Sequence, residues 1–316
     1  MTAQSIRAVH EPRITIVVPA RNEARNLEIV LPQLPPVHEV IVVDGHSGDD
    51  TAEVVARVMP QARFLQQTRR GKGNALAIGF EAATGDVIVM FDADGSADPK
   101  EIPDFVAALT SGADFAKGSR VIAQGGSEDI TVVRDLGNRA LTMLTNLLFR
   151  TRYTDLCYGY NAFWHDVLQH LSLPSSRLQS AQWGDGFEIE TLINCRVAAA
   201  DLQIHEVPSV ELERIHGASN LNAVRDGLRV LKTIVTERFR DGRTHTLAPA
   251  AEVVTTAHAE EPATTAGRIP EAVTPFDTAR AAALEVPVLP VQEARVIDLR
   301  ALEVPARTGD DVRGRA

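Results

Sequence analysis

The chain has 316 residues, 23% of them charged, and a formal net charge of −10, so it can hold one large domain or two modest ones. This negative charge argues against a general role in binding nucleic acid, which is not expected as a partner. Cys157 and Cys195 form no close pair, which argues against a zinc site or a disulfide framework and fits a reducing compartment. Residues 1–19 hold no long apolar segment of the secretory kind, and the apolar stretch 141–149 is too short to span a bilayer.

Strand-like and helix-like segments alternate through the first 240 residues. Strands are predicted at 14–18, 40–43, 62–65, 87–91 and 114–117, and helices at 22–31, 50–58, 74–83 and 102–109. This alternation indicates βαβ units, hence an α/β fold with a Rossmann-like, mainly parallel sheet flanked by helices. Right-handed crossovers collect the carboxyl ends of the strands at one edge, where open α/β sheets bind ligands.

The composition changes near Asp241. From there to Ala316 the chain has no Lys, Trp or Tyr and is rich in Ala, Pro, Thr, Glu and Val. Such a segment buries little apolar surface. We therefore predict a folded domain over 1–240 and a disordered tail over 241–316, with a small appended β-rich unit as the alternative.

Carboxylates follow two of the predicted parallel strands. Asp44 comes directly after EVIVV, and Asp92 and Asp94 come directly after VIVMF. A carboxylate at a strand end can accept hydrogen bonds from a ribose or a base. Two carboxylates separated by one residue suit Mg²⁺, which prefers a few carboxylates together with substrate phosphates. Asp98, which precedes Pro99, is expected to cap the next helix.

The segment RRGKGNAL, residues 69–76, is a candidate phosphate-binding turn. Gly71 and Gly73 would let the backbone approach an anion, and Arg70 and Lys72 would add positive charge before a helix. A solvated basic turn explains the segment equally well. No G-x-G-x-x-G follows the first strand, which argues against a dehydrogenase, and a nucleotidyltransferase is expected to carry a Gly-rich loop there as well.

These motifs together resemble the family 2 glycosyltransferases with the GT-A fold, and most closely the polyprenyl-phosphate sugar synthases of the dolichol-phosphate mannose synthase type. The likeness covers most of residues 14–240. Pro19, Asn22 and Glu23 match the opening P-x-x-N-E, and VDGHSGDDT at 43–51 is similar to V-D-D-G-S-x-D-x-T, with Gly45 in place of the second Asp. DADGSADP resembles the D-x-D segment, and GKGNAL the loop beside the diphosphate.

The resemblance implies roles for these residues. The predicted nucleotide-sugar ligands are Pro19, Asn22, Glu23, Asp44, Arg70, Lys72 and Asp92. Asp94 and Asp92 would hold Mg²⁺ or Mn²⁺, with His216 of RIHGASN as a third ligand. Arg214 and Ser219 also carry over from the R-x-x-G-x-S-K pattern, in which Asn220 replaces the usual Lys.

The implied reaction transfers a sugar from a UDP- or GDP-linked donor to an acceptor. A polyprenyl phosphate is already ionised, whereas a hydroxyl acceptor needs a base, for which Asp185 and Glu188 of WGDGFEIE are the candidates. The predicted catalytic set is therefore Asp185, Glu188 and Arg214. Two alternatives stay open: an enzyme similar to glucosyl-3-phosphoglycerate synthase with a small-molecule acceptor, and a sugar-nucleotide sensor without turnover.

Two predicted helices suggest a peripheral membrane contact. The segment 135–150 and the basic helix after Asn220 each combine an apolar face with flanking arginines. The alternative is that the first of them packs on the sheet. We expect a cytoplasmic protein, at the inner membrane face if this contact forms, and leave a homodimer open.

Overall fold

A computed structural model describes residues 11–217 and 223–240 of the chain. The predicted tail over 241–316 lies outside the described residues, as do Ser219 and Asn220. The domain boundary near residue 240 therefore stays a prediction.

Seven of the strands within these residues form one sheet, in the order β3-β2-β1-β4-β7-β5-β8. The strands are β1 Ile14–Ala20, β2 Glu39–Asp44, β3 Arg63–Gln66, β4 Val87–Met90, β5 Phe115–Ser119, β6 Gly126–Ser127, β7 Asn161–Trp164, β8 Ile204–Pro208 and β9 Val210–Glu211. β7 runs antiparallel to β4 and β5, and the other pairs in the sheet are parallel. The predicted α/β fold with a mainly parallel sheet is confirmed. β6 and β9 form a separate two-stranded sheet.

Helices follow the strands much as the sequence predicts. They are α1 Ala24–Val30, α2 Thr51–Val58, α3 Lys72–Ala82, α4 Ile102–Thr110, α5 Val132–Phe149, α6 Leu168–Leu171, α7 Ile189–Ala199 and α8 Ala223–Arg238. α1 begins two residues later than predicted because Asn22 has a φ of 57°, a left-handed conformation that no right-handed helix includes. Asp98 accepts a hydrogen bond from the Lys100 amide at 3.0 Å, so the predicted cap is confirmed.

The central strands are buried on both faces. All four residues of β4 are buried, and β4 lies between β1 and β7. Aromatic rings pack against this part of the sheet, with Phe80 edge-on to Phe163 at 5.3 Å and Phe91 edge-on to Tyr160 at 5.5 Å between centroids. A strand covered on both faces must be continuously apolar, which explains why polar side chains resume only where β4 ends.

A buried ion pair ties α5 to the sheet. The fully buried Asp155 accepts hydrogen bonds from Arg120 Nε at 2.7 Å and Nη2 at 2.9 Å, and from Asn138 Nδ2 of α5 at 2.9 Å. Burial alone would raise the pKa of Asp155, but the bonds and charge of Arg120, with the charge of Lys117, lower that pKa to about 2. The carboxylate is therefore ionised at neutral pH and stabilises the fold.

We predict that Asp155→Asn lowers the free energy of unfolding by up to about 3–5 kcal/mol, because it removes the carboxylate that binds two nitrogens of the buried Arg120 guanidinium and leaves that group only its pair with Glu211. The folded pKa of Asp155 lies below its unfolded value, so its stabilisation is present above the unfolded pKa and is lost as pH falls towards about 2. Urea unfolding of wild type and variant between pH 7 and pH 3 should show that the difference between their free energies of unfolding becomes smaller as the pH falls. Asp86→Asn, which breaks the exposed Arg13–Asp86 pair, serves as the control and should change the free energy of unfolding far less, because water screens an exposed pair. If this difference in the free energy of unfolding stays constant with pH, ionised Asp155 does not stabilise the fold.

Candidate active site

A cavity of about 880 Å³ lies at the carboxyl ends of β1 and β4, bounded by α5, α7 and α8. Eight of the predicted site residues line it: Pro19, Asn22, Glu23, Lys72, Asp92, Asp94, Glu188 and Arg214. Four do not: Asp44, Arg70, Asp185 and His216. The cavity thus lies at the sheet edge where open α/β sheets bind ligands.

The two loops after β1 and β2 lock into each other. The Asn22 amide donates to Ser47 Oγ, and Asn22 Oδ1 accepts from the Gly48 amide, both at 2.8 Å. Ser47 Oγ in turn donates to Asp44 at 2.6 Å. The carboxylate of Asp44 is buried beneath this turn rather than on the cavity wall. Its contact with a nucleoside therefore stays a prediction, and the structure gives Asp44 a role in shaping the loop.

Both carboxylates of the D-x-D segment are paired with a cation. Lys72 Nζ lies 2.6 Å from Asp92 Oδ1 and 2.6 Å from Glu190 Oε1. Arg214 Nη2 lies 2.7 Å from Asp94 Oδ2, and its Nη1 lies 2.9 Å from Glu23 Oε1.

Burial would lower the pKa of both cations, but their carboxylate partners outweigh it. The charges of Asp92 and Glu190 raise the pKa of Lys72, and those of Asp94 and Glu23 raise the pKa of Arg214. Both side chains are therefore charged at neutral pH. The sequence did not single out Glu190, because its partner Lys72 lies far away in the chain.

The D-x-D pair fits a divalent cation, but the predicted third ligand is not brought to it. Asp92 and Asp94 offer carboxylate oxygens to one cavity, which suits a hard cation that also binds phosphate. Among residues 11–217 and 223–240, no group of three or more His, Cys, Asp or Glu is arranged to hold a metal. His216 instead presents its backbone carbonyl to Asn26 Nδ2 at 3.1 Å. A metal site of two carboxylates stays a prediction.

The glycines of GKGNAL admit protein backbone rather than a ligand, which corrects the sequence-based interpretation. A Cβ at Gly71 would collide with the carbonyl oxygen of Asp185, and one at Gly73 with that of Gly184. The Gly73 amide donates to the Asp185 carbonyl at 2.8 Å. Segment 184–186 therefore packs directly on the start of α3. Arg70 is exposed and lies off the cavity wall.

The neighbouring Arg69 holds the same segment. Its Nε and Nη2 donate to the two carboxylate oxygens of Asp185, each at 2.9 Å, and both side chains are buried. Asp185 also accepts from the Gln182 amide at 2.7 Å. A carboxylate engaged in this way is a poor base, so the structure favours a positioning role for Asp185. Sequence reasoning chose Arg70 because adjacent arginines in a turn carry no signal of which one points inwards.

Glu188 has the opposite character. Its Oε1 accepts from the Gly184 amide at 3.0 Å and the Gly186 amide at 3.3 Å. Its Oε2 is buried and has no hydrogen-bond partner within the described part of the chain, and Arg229 Nε lies 3.6 Å away. Because Glu188 lines the cavity, this oxygen can accept a hydrogen bond from a ligand.

The far wall of the cavity comes from α5 and α8, and the structure divides the apolar residues of segment 135–150 between two faces. Leu141, Leu144, Leu148 and Phe149 pack against a cluster around Tyr153, Leu156, Cys195 and Ile234, so only part of the predicted apolar surface is free for a membrane contact. The exposed apolar side chains on α5 are Val132, Val133, Leu136, Met143 and Leu147. Those on α8 are Val224, Leu228, Leu231 and Val235. Among the described residues, we find no helix with the length and hydropathy needed to cross a bilayer.

Residues 15–172 match the model of glycosyl transferase family 2. The chain belongs to this family. It is 30% identical over 220 residues to an undecaprenyl-phosphate mannosyltransferase of Micrococcus luteus, and this alignment covers 66% of this chain and 88% of that relative. It is also 41% identical over 107 residues to an uncharacterized glycosyltransferase of Mycobacterium tuberculosis, covering 34% of this chain. That alignment spans 48% of the relative, about half its length.

Solved structures of family 2 glycosyltransferases share the fold. Glucosyl-3-phosphoglycerate synthase of Mycobacterium tuberculosis, in complex with phosphoglyceric acid, superposes with a TM-score of 0.57 at 23% identity, over 74% of this chain and 82% of that one. A structure of that synthase with Mn²⁺, UDP and glucosyl-3-phosphoglycerate gives a TM-score of 0.56 at 23% identity, with the same coverage of both chains. The GT-A fold and the family predicted from the motifs are thus confirmed.

Two helical glycines of this chain allow a matched test of the loop packing. Gly73→Ala should lower the melting temperature, because its Cβ meets the Gly184 carbonyl. Gly137→Ala in α5 has open space around the new Cβ and should raise stability by up to about 1 kcal/mol, the usual preference for Ala in a helix. Thermal unfolding should show a lower melting temperature for Gly73→Ala and a higher one for Gly137→Ala. Equal effects would show that segment 184–186 does not press on α3.

Proposed function

We propose that this protein transfers a sugar from a UDP- or GDP-linked donor to a polyprenyl phosphate at the cytoplasmic face of a membrane. One observation carries the proposal. A single cavity extends from the charged D-x-D edge of the sheet to α5 and α8, where the exposed apolar side chains of Val133 and Val224 line it. A charged donor end and an apolar acceptor end suit these two substrates.

The donor end has the groups that a nucleotide diphosphate requires. Lys72 and Arg214 supply positive charge beside Asp92 and Asp94, which would hold Mg²⁺ or Mn²⁺. When bound, the cation would offset the charge that develops on the departing diphosphate. Support comes from the solved glucosyl-3-phosphoglycerate synthase structures, which contain UDP with Mn²⁺ or with Mg²⁺.

The acceptor end combines apolar surface with arginines. Val133 and Val224 bring exposed apolar surface to the cavity wall, and Arg134 of α5 and Arg229 of α8 line the same cavity. Leu136, Met143 and Leu147 do not line the cavity, but they are spaced to form one stripe on α5, and each is about 70% exposed. Apolar side chains with arginines around them favour an interfacial position on anionic lipid, and the arginines suit an ionised phosphate. The name of the Micrococcus luteus relative, an undecaprenyl-phosphate mannosyltransferase, supports the same acceptor class.

A second candidate function has a small hydroxyl acceptor. Glu188 favours it, because this residue lines the cavity and one of its carboxylate oxygens, which has no hydrogen-bond partner among the residues that the structure describes, can take a proton from a hydroxyl group. The solved neighbours named glucosyl-3-phosphoglycerate synthase support this class. A polyprenyl phosphate would leave Glu188 only a binding role.

Membrane attachment and acceptor choice are tested together. Wild type should co-sediment with anionic liposomes and transfer sugar to polyprenyl phosphate, with the product identified by mass spectrometry. Leu136→Asp combined with Leu147→Asp should weaken both by about tenfold or more, since charged groups enter the interface poorly. Ile29→Asp changes an exposed apolar residue on α1 and should affect neither. Indifference of wild type to liposomes, with transfer only to phosphoglycerate, would replace the proposal by the second candidate. If the protein binds the donor but transfers sugar to no acceptor, the alternative of a sugar-nucleotide sensor would be favoured.

The role of Glu188 separates the two acceptor classes. With polyprenyl phosphate, Glu188→Gln should keep kcat within about tenfold of wild type, since an ionised phosphate needs no base. With a hydroxyl acceptor, kcat should fall by about 10²–10⁴, the usual contribution of a general base. Steady-state kinetics with each acceptor measure both values. A large loss of kcat with polyprenyl phosphate would contradict a binding role for Glu188 in that reaction.

A further inference from the structure

The two cations at the D-x-D share one arrangement. Each lies between a D-x-D carboxylate and a second carboxylate from another part of the chain: Lys72 between Asp92 and Glu190, and Arg214 between Asp94 and Glu23. The separations from nitrogen to oxygen run from 2.6 to 2.9 Å, so every pair is in direct contact. A cation in such a position can release one partner and keep the other.

The second carboxylates are fixed by secondary structure. Glu190 lies in the first turn of α7, and Glu23 directly precedes α1. The side chains of Lys72 and Glu190 are 15% and 13% exposed, so an unpaired charge there would be costly. Lys72 therefore stays with Glu190 when Asp92 takes another partner.

The charges point to what that partner is. Four carboxylates, Asp92, Asp94, Glu23 and Glu190, face two cations, which leaves two negative charges in the cluster. One divalent cation neutralises that excess, but it has to share Asp92 and Asp94 with Lys72 and Arg214. A diphosphate would give these two side chains a new anionic partner.

We propose that Lys72 and Arg214 are internal counter-ions of the D-x-D in the free protein, and that Glu190 and Glu23 are positioning residues which keep them in the cavity when metal and diphosphate bind. The inference rests on the proposed function for the identity of the ligand. Its consequence is mutual: a divalent cation alone binds weakly, and a nucleoside diphosphate strengthens its binding because it takes over Lys72 and Arg214.

Mn²⁺ binding, followed by electron paramagnetic resonance, tests this without any turnover. UDP or GDP should raise the affinity of wild type for Mn²⁺ at least tenfold. Lys72→Met should raise the affinity of the nucleotide-free protein by about tenfold, because it removes a charge in contact with Asp92, and should reduce the gain from nucleotide. Arg21→Met removes a cation from the same cavity wall without a D-x-D partner among the described ion pairs, and should change Mn²⁺ affinity less than threefold. An unchanged Lys72→Met, or an equal effect of Arg21→Met, overturns the proposal.

Glu190→Gln should act in the opposite direction. Lys72 then has Asp92 alone, so the nucleotide-free protein should bind Mn²⁺ more weakly and the KM for the donor should rise more than kcat falls. Glu190→Asp should restore part of the affinity. General damage to the fold would weaken binding in both Lys72→Met and Glu190→Gln, whereas the proposal requires opposite signs. A rise in Mn²⁺ affinity in Glu190→Gln overturns the holding role.

These measurements separate this inference from the proposed function. Coupled binding of Mn²⁺ and nucleotide with no sugar transfer to any acceptor would refute the function and support the exchange of counter-ions. Sugar transfer by the wild type, with an unchanged Mn²⁺ affinity in Lys72→Met, would support the proposed function and refute the exchange of counter-ions.

Discussion

Carboxylates at the end of a buried strand need compensation, because an unpaired charge loses its hydration without gaining a partner. The sheet edge meets this need with cations from distant segments. Lys72 comes from α3, and Arg214 from the segment between β9 and α8. Each of these pairs joins segments that lie far apart in the chain, and the Arg214 pair adds to a backbone hydrogen bond from the Ile215 amide to the Asp94 carbonyl at 3.1 Å. The cavity is therefore held by charge pairing as much as by the sheet.

The same principle organises the second ring of residues around the cavity. Arg69 holds Asp185, and Arg120 holds Asp155, in each case with two nitrogens on one carboxylate. The first pair presses segment 184–186 onto the start of α3, where Gly71 and Gly73 leave room for the carbonyl oxygens of Asp185 and Gly184. Lys72, the residue just before Gly73, is thereby delivered to Asp92. A motif that reads as a phosphate-binding turn thus owes its glycines to protein packing, while its lysine still faces the cavity.

The sequence predicted what depends on local pattern. Continuous apolar runs located β1, β2 and β4, although the antiparallel β7 was not predicted, and the carboxylates after β4 located the cavity, because strand ends converge in a parallel sheet. Ion pairs between residues far apart in the chain could not be predicted from the sequence. Nothing near Lys72 indicates Glu190 as its partner, and nothing in the sequence shows that Arg69 rather than Arg70 is buried. On α5 the sequence predicted an apolar helix but could not tell its two apolar faces apart, since the choice depends on the packing of Ile234 from α8. The metal role of His216 stays a prediction, since this residue does not line the cavity and only its backbone carbonyl is seen to bind, to Asn26.

α8 combines a buried, ion-paired C-terminal half with an exposed N-terminal half that faces the cavity. Its C-terminal half is anchored, with Ile234 fully buried and Glu237 bound to Arg196 by contacts of 2.9 and 3.0 Å. Its N-terminal half instead exposes Val224 and directs Arg229 towards Glu188 in the cavity. A helix fixed at one end can present an apolar and cationic wall at the other without losing its position. The cavity wall on α8 therefore depends on a buried ion pair between Arg196 and Glu237, just as the D-x-D edge depends on the pairs of Lys72 and Arg214.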